Sequence, residues 1–124
     1  MRIALIAQDK KKEQMVRFCL TYAGTLSQHK LFATGTTGKM VQEYTGLRVH
    51  RYLTGRQGGE QQISARISYD ELDMLILFRD TDIALIPTGY DEMLRLCDAR
   101  DIPYATNPKS AKALMFALEN GMIE

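Results

Sequence analysis

Lys30-Leu-Phe-Ala-Thr-Gly-Thr-Thr-Gly38 is the stretch on which the fold of this chain turns. Leu31, Phe32 and Ala33 make a short apolar run of the kind that forms a buried strand. Thr34, Gly35, Thr36, Thr37 and Gly38 then crowd two glycines and three hydroxyls into five positions. Met40, Val41 and Tyr44 follow at helical spacing. Strand, Gly/Thr loop and helix in that order present backbone N–H groups, hydroxyls and a helix N-terminus to an anion. The same pattern fits an ordinary strand-to-helix turn in which threonine caps the helix. It is not a Walker A loop, because the Gly-Lys-[Ser/Thr] form is missing.

Outward from this loop, apolar runs and helical patterns alternate. Ile3 to Ala7 is a continuous apolar run, typical of a central parallel strand. Asp9 is a plausible N-cap for a helix that carries Met15, Val16, Cys19, Leu20 and Ala23 on one face and ends near Gly24. Lys12, in the first turn of that helix, stands just past a strand's carboxyl end. Arg48 to Leu53 alternates as a strand, and Gly55, Gly58 and Gly59 mark a loop into a helix with Ile63 and Ile67 inward. Glu60 at that helix start is, on its own, a favourable dipole partner. Leu72 to Phe78 is the strongest strand signal. Thr81 to Gly89 is irregular. Met93, Leu94, Leu96 and Cys97 then mark a helix. Ile102 to Asn107 is a short edge strand, and Pro108 opens a last helix that Gly121 stops. This alternation predicts an α/β fold: a doubly wound, mostly parallel five-stranded sheet with helices on both faces. Ligands in such folds bind outside the carboxyl ends of the strands. Those ends are Gln8-Asp9, Thr34 to Gly38, the Gly55 to Glu60 loop, Arg79-Asp80 and Thr106-Asn107.

With 124 residues, a single domain spanning 1–124 is expected. A net charge of +1 argues against a nucleic-acid partner. Cys19 and Cys97 lack CxxC spacing and are expected as buried free thiols, which goes with a cytoplasmic protein. His29 and His50 fit no metal-ligand pattern, so no metal is expected. No apolar run approaches the roughly 20 residues of a membrane span, and no signal peptide is expected.

Five segments together resemble the methylglyoxal synthase family. They are Ile3-Ala-Leu-Ile-Ala-Gln-Asp-Lys-Lys-Lys12, Leu31-Phe-Ala-Thr-Gly-Thr-Thr-Gly38, Gly58-Gly-Glu-Gln-Gln62, Leu77-Phe-Arg-Asp80 and Ile102-Pro-Tyr-Ala-Thr-Asn107. The resemblance implies a methylglyoxal synthase-like fold and a homohexamer. It also implies a cofactor-free conversion of dihydroxyacetone phosphate into methylglyoxal and phosphate. It assigns a phosphorylated small molecule to Lys12, Thr34, Thr36, Thr37 and Gly55, with Gln8, Gly35, Gly38, Gly58 and Gly59 completing the candidate binding set. Proton abstraction falls to Glu60, with Asp9 and Asp80 as supporting carboxylates. Tyr22, Tyr44 and Tyr90 lie on helix faces that subunit contacts or the core could bury.

The departures from the family pattern cluster in the chemistry. Gln8 replaces a histidine, and Glu60 replaces an aspartate. Pro87 is followed by Thr88 where the family has a loop histidine, and Thr81 stands for a proline. Losing a positioned acid typically costs about 10²–10⁴ in rate, and moving a base by roughly 1 Å about 10². The expectation from these changes is a non-catalytic protein that binds or sequesters a phosphorylated or nucleotide-derived ligand. The alternative is a lyase in which Glu60 still serves as base.

Overall fold

The computed structural model describes residues 1–54, 57–86 and 89–123. Its five-stranded sheet comprises β1 (Arg2–Ala7), β2 (Lys30–Ala33), β3 (His50–Arg51), β4 (Met74–Phe78) and β5 (Tyr104–Ala105). The spatial order is β3-β2-β1-β4-β5 and every pairing is parallel. β1 and β4 lie inside the sheet and are covered on both faces, which is why their sequences are continuously apolar rather than alternating. Arg2 fixes their start. Its backbone N–H and Nε both reach Asp73 Oδ2, at 2.7 and 3.0 Å, and the Asp73 N–H returns a bond to the Arg2 carbonyl.

Strand periodicity divides the core in two. Ile3, Leu5, Met74, Ile76 and Phe78 point to one face, where they meet α1 (Lys12–Thr21), α3 (Gly35–Thr45) and α6 (Pro108–Glu119). Ala4, Ile6, Leu75 and Leu77 point to the other, against α4 (Gly59–Ser68) and α5 (Gly89–Ala99). Pro108 at the start of α6 and the Asn107 side chain, which accepts from the Ser110 N–H, explain where that helix begins.

Several local expectations change. The first helix is preceded by a 3-10 turn, Asp9–Lys11, and Asp9 makes no cap bond; its carboxylate pairs with Lys12 instead. That helix ends at Thr21, because Tyr22 leaves helical geometry, and Gly24 sits inside a separate short helix, α2 (Ala23–Leu26). The expected strand from Arg48 to Leu53 shrinks to His50–Arg51, which pairs only with Phe32 and Ala33 at an open edge. The Ile102 to Asn107 strand reduces to Tyr104–Ala105, with the Pro103 carbonyl already accepting from Leu75. Tyr90 is 2% exposed and packs in its own chain's core, so it is not at a subunit contact. Cys19 and Cys97 are buried free thiols, as expected. No helix among the described residues is long and apolar enough to cross a membrane.

Gly59 shows why a glycine precedes the candidate base. A Cβ there would collide with the carbonyl of Leu53, and the Gly59 N–H donates to Thr54 O at 2.8 Å. The start of α4 is thereby pressed onto the chain leaving β3. Gly59→Ala is expected to destabilise the fold by about 1–3 kcal/mol through overpacking against rigid backbone. Denaturant titration measures this, and a midpoint unchanged from wild type would contradict it.

Candidate active site

The carboxyl ends of β1, β2, β3 and β4 surround a cavity of about 660 Å³. Its walls are Ile6, Ala7, Gln8, Asp9 and Lys12 after β1, Thr34 and Thr36 after β2, Thr54 after β3, Glu60 on α4, and Leu85 and Tyr90 after β4. This is the switch point of the sheet, where the chain leaves β3 at one edge and resumes beside β1 on the other side. A larger cavity of about 840 Å³ lies beside the β2–β3 edge, around Lys30, Arg48 and His50, away from these strand ends. The smaller cavity is where carboxylates, a lysine and a helix N-terminus meet.

Two features make the anion cradle. α3 begins at Gly35, with Thr34 extended before it, and Thr34 makes no side-chain cap bond. The ordinary threonine-cap explanation of this turn therefore fails. The Thr34 hydroxyl instead faces Thr37 at 3.4 Å, and Thr37, 1% exposed, faces the Ala7 carbonyl. Thr36 remains exposed to the cavity, and the first-turn N–H groups of Thr36 and Thr37 are left without an i−4 carbonyl, while the Gly35 N–H donates to Leu53 O at 3.0 Å. The second feature is Lys12. Its Nζ donates to Ala7 O at 2.7 Å and pairs with Asp9 Oδ1 at 3.1 Å. An ammonium has three donors, so one is left for a ligand. Gly35 and Gly38 serve close packing. A Cβ on Gly35 would lie 2.9 Å from the Tyr52 carbonyl, and one on Gly38 would lie 2.7 Å from Arg51 Cγ.

Glu60 supplies the carboxylate. It is half-buried, and burial pushes its pKa above the usual glutamate range; Tyr90 and Lys12 pull it partly back. Tyr90 faces Glu60 from the first turn of α5, and burial with the adjacent carboxylate raises its phenol well above the ordinary tyrosine value. Gly89 lies beside this pair, and a Cβ there would stand 4.0 Å from Glu60 Oε2, at ordinary contact distance.

The candidate residues thus separate. Gln8, Asp9, Lys12, Thr34, Thr36 and Glu60 come together around the cavity. Thr37, Gly35, Gly38, Gly58 and Gly59 are not on its walls. Gly58 starts α4 at a φ of 108°, a left-handed conformation. Asp80 turns away: its Oδ1 accepts from the Asp82 N–H at 2.9 Å. Gly55 and the Pro87-Thr88 pair lie outside the described residues. Gln8 is committed at both ends of its amide. Nε2 donates to Leu85 O and Oε1 accepts from the Asp80 N–H, both at 2.6 Å. Gln8 therefore ties the loop after β4 to the end of β1, and Gln8→Ala should loosen that loop. Faster hydrogen exchange at the Asp80 amide checks this; unchanged protection would contradict it. Tyr90, Thr54 and Leu85 were not among the candidates. A tyrosine at the start of the helix after β4 was the available signal for the first of them.

Comparison with known proteins finds relatives over the length of the chain. The model of the MGS-like domain matches residues 15–106. A methylglyoxal synthase of Caldicellulosiruptor saccharolyticus is 52% identical over 123 residues, 98% of this chain and 86% of its own length. One of Bacillus anthracis is 52% identical over 126 aligned positions, 100% of this chain and 95% of its own length. The crystal structure of methylglyoxal synthase from Elizabethkingia anophelis superposes with a TM-score of 0.85 at 36% identity, over 92% of this chain and 76% of that one. These matches overturn the expectation of a non-catalytic, sequestering protein. Its premise was that Gln8, Glu60 and the altered loop remove the chemistry. The chain nonetheless shares 52% identity, end to end, with enzymes, and a carboxylate stays in the cavity.

Proposed function

The chain belongs to the methylglyoxal synthase family, and from that membership we propose that it is itself such a lyase, acting on dihydroxyacetone phosphate with Glu60 as base. The observation that carries the assignment is a half-buried carboxylate of raised proton affinity on the same cavity as Lys12 and the α3 N-terminus. A general base works best when its pKa approaches the working pH, and burial moves Glu60 in that direction.

The phosphate of the substrate sits against Thr36, the first-turn N–H groups of α3 and Lys12. Glu60 takes a proton from the hydroxymethyl carbon beside the carbonyl. The C–H electron pair becomes a C=C bond and the carbonyl π pair moves to oxygen, giving an enediolate. The hydroxymethyl oxygen of that intermediate passes its proton to the enolate oxygen and becomes the aldehyde carbonyl, the C=C pair shifts to the phosphate-bearing carbon, and the C–O bond to phosphate breaks. Phosphate departs with the bonding pair, and the remaining enol takes up a proton at carbon to become methylglyoxal. Lys12 and the helix N-terminus stabilise the charge that collects on the departing phosphate. Purified protein given dihydroxyacetone phosphate should release methylglyoxal and inorganic phosphate in equal amounts. Phosphate release without methylglyoxal, or no turnover, would reject the assignment.

A cytoplasmic homohexamer goes with this reading. Tyr44 at 64%, Phe116 at 63% and Leu20 at 52% exposure offer apolar surface for subunit contacts. Sedimentation should give a particle of several 14.1 kDa chains, and a monomer at micromolar concentration would reject the assembly. Recovery in the membrane fraction of lysed cells would reject the location.

A further inference from the structure

Proton abstraction next to a carbonyl needs two groups, a base for the proton and a donor for the oxygen on which charge gathers. The cavity has a base in Glu60, and the donors on its walls can be sorted by their engagements. Lys12 is held by Ala7 O and Asp9 beside the phosphate cradle. The amide of Gln8 is used at both ends to hold the loop after β4. Thr34 faces Thr37, and Thr36 stands at the α3 N-terminus with the phosphate. No histidine is on the cavity wall among the described residues. The Thr54 hydroxyl donates to Gln57 Oε1 at 3.1 Å, and among the described wall residues that leaves the phenol of Tyr90.

We propose that Tyr90 is a catalytic residue of this site, donating its hydroxyl hydrogen bond to the carbonyl oxygen of the substrate as it becomes the enediolate. This deepens the lyase reading and rests on it. Tyr90 lines the cavity beside Glu60, and its ring is locked by burial in the core behind α5. Base and donor are therefore adjacent, as the carbon and oxygen of one C–C=O unit are. In the resting site the phenol faces the Glu60 carboxylate; substrate inserts its carbonyl between them. The proton on Tyr90 is shared and never transferred. Its raised pKa keeps the phenol protonated well above the pH at which Glu60 ionises. The donor also restrains the base until substrate arrives, because the nearby phenol lowers the proton affinity of Glu60.

The test is Tyr90→Phe, which keeps the ring and removes only the hydroxyl. Removing one such donor costs about 10²–10³ in kcat. KM for dihydroxyacetone phosphate should stay within a few-fold, because the phosphate contacts are untouched. The acid limb of the kcat/KM profile should move to higher pH, because Glu60 in the free enzyme loses a neighbour that favours its ionised form. A second variant carries 3-fluorotyrosine at position 90 and preserves the fold. Its fluorine resonance should shift when 2-phosphoglycolate, a mimic of the enediolate, fills the cavity. Active wild type with kcat of Tyr90→Phe within threefold of it overturns the Tyr90 assignment alone. A loss in Tyr90→Phe with an unmoved acid limb and no fluorine shift assigns Tyr90 to packing and also overturns it. No wild-type turnover sinks the lyase reading, and the Tyr90 assignment with it.

Discussion

Glu60→Gln is expected to lower kcat for methylglyoxal formation by about 10²–10⁴ while leaving KM nearly unchanged. The amide keeps the shape of the side chain and can still face Tyr90, but it cannot accept a proton from carbon. Since the phosphate cradle lies on α3 and Lys12, binding survives. The same substitution should make the protein more stable at neutral pH. The folded carboxyl has its pKa raised above the unfolded value, chiefly by burial. Its stability contribution is therefore fully present below the ordinary glutamate pKa and is lost as pH rises through the folded pKa. Glutamine carries no such loss, so its thermal midpoint should exceed that of wild type at pH 7 and match it under acid conditions. Wild-type kcat/KM should fall on the acid side around a pKa above the usual glutamate value. A Glu60→Gln protein that retains wild-type kcat would remove Glu60 from the chemistry.

Lys12→Ala should lower kcat/KM by about 10–10²-fold, corresponding to roughly 1.5–3 kcal/mol for a hydrogen bond to a charged group. The effect should fall on both KM and kcat, because the ammonium holds phosphate in the ground state and stabilises it as it leaves. The fold should tolerate the change. Asp9 loses its partner, but its side chain is 89% exposed and stays solvated, and Thr37 still faces the Ala7 carbonyl. Lys12 also lowers the pKa of Glu60, so the acid limb of the rate profile should move upward in the variant. Steady-state kinetics across pH test both effects. An unchanged kcat/KM would move the phosphate elsewhere in the cavity.

Parallel strands buried on both faces write themselves as apolar runs, so β1 was legible from Ile3 to Ala7 and β4 from Leu72 to Phe78, two residues before its observed start at Met74. The edge strands were not. His50 and Arg51 are exposed and their ladder is two residues long, so alternation around them overstated the strand. Within the site, the Gly/Thr loop and the polar residues at strand ends could be found because topology gathers strand ends on one rim. Thr36 and Thr37 are identical in sequence and opposite in use. One faces the cavity and one is buried, a difference made by about 100° of helix rotation per residue. Asp80 looks like a third site carboxylate, yet it closes a local turn on Asp82. Tyr90 falls at core spacing on α5, and only the tertiary approach of Glu60 from α4 gives its hydroxyl a role.

The proposed lyase chemistry turns on Glu60 removing a carbon-bound proton from dihydroxyacetone phosphate on the way to methylglyoxal. The most direct measurement is methylglyoxal release by the wild-type protein from substrate deuterated at the hydroxymethyl carbon, against the unlabelled compound. The predicted result is turnover far above spontaneous elimination, with the deuterated substrate slower in kcat/KM. Release no faster than the protein-free reaction for either substrate would contradict it.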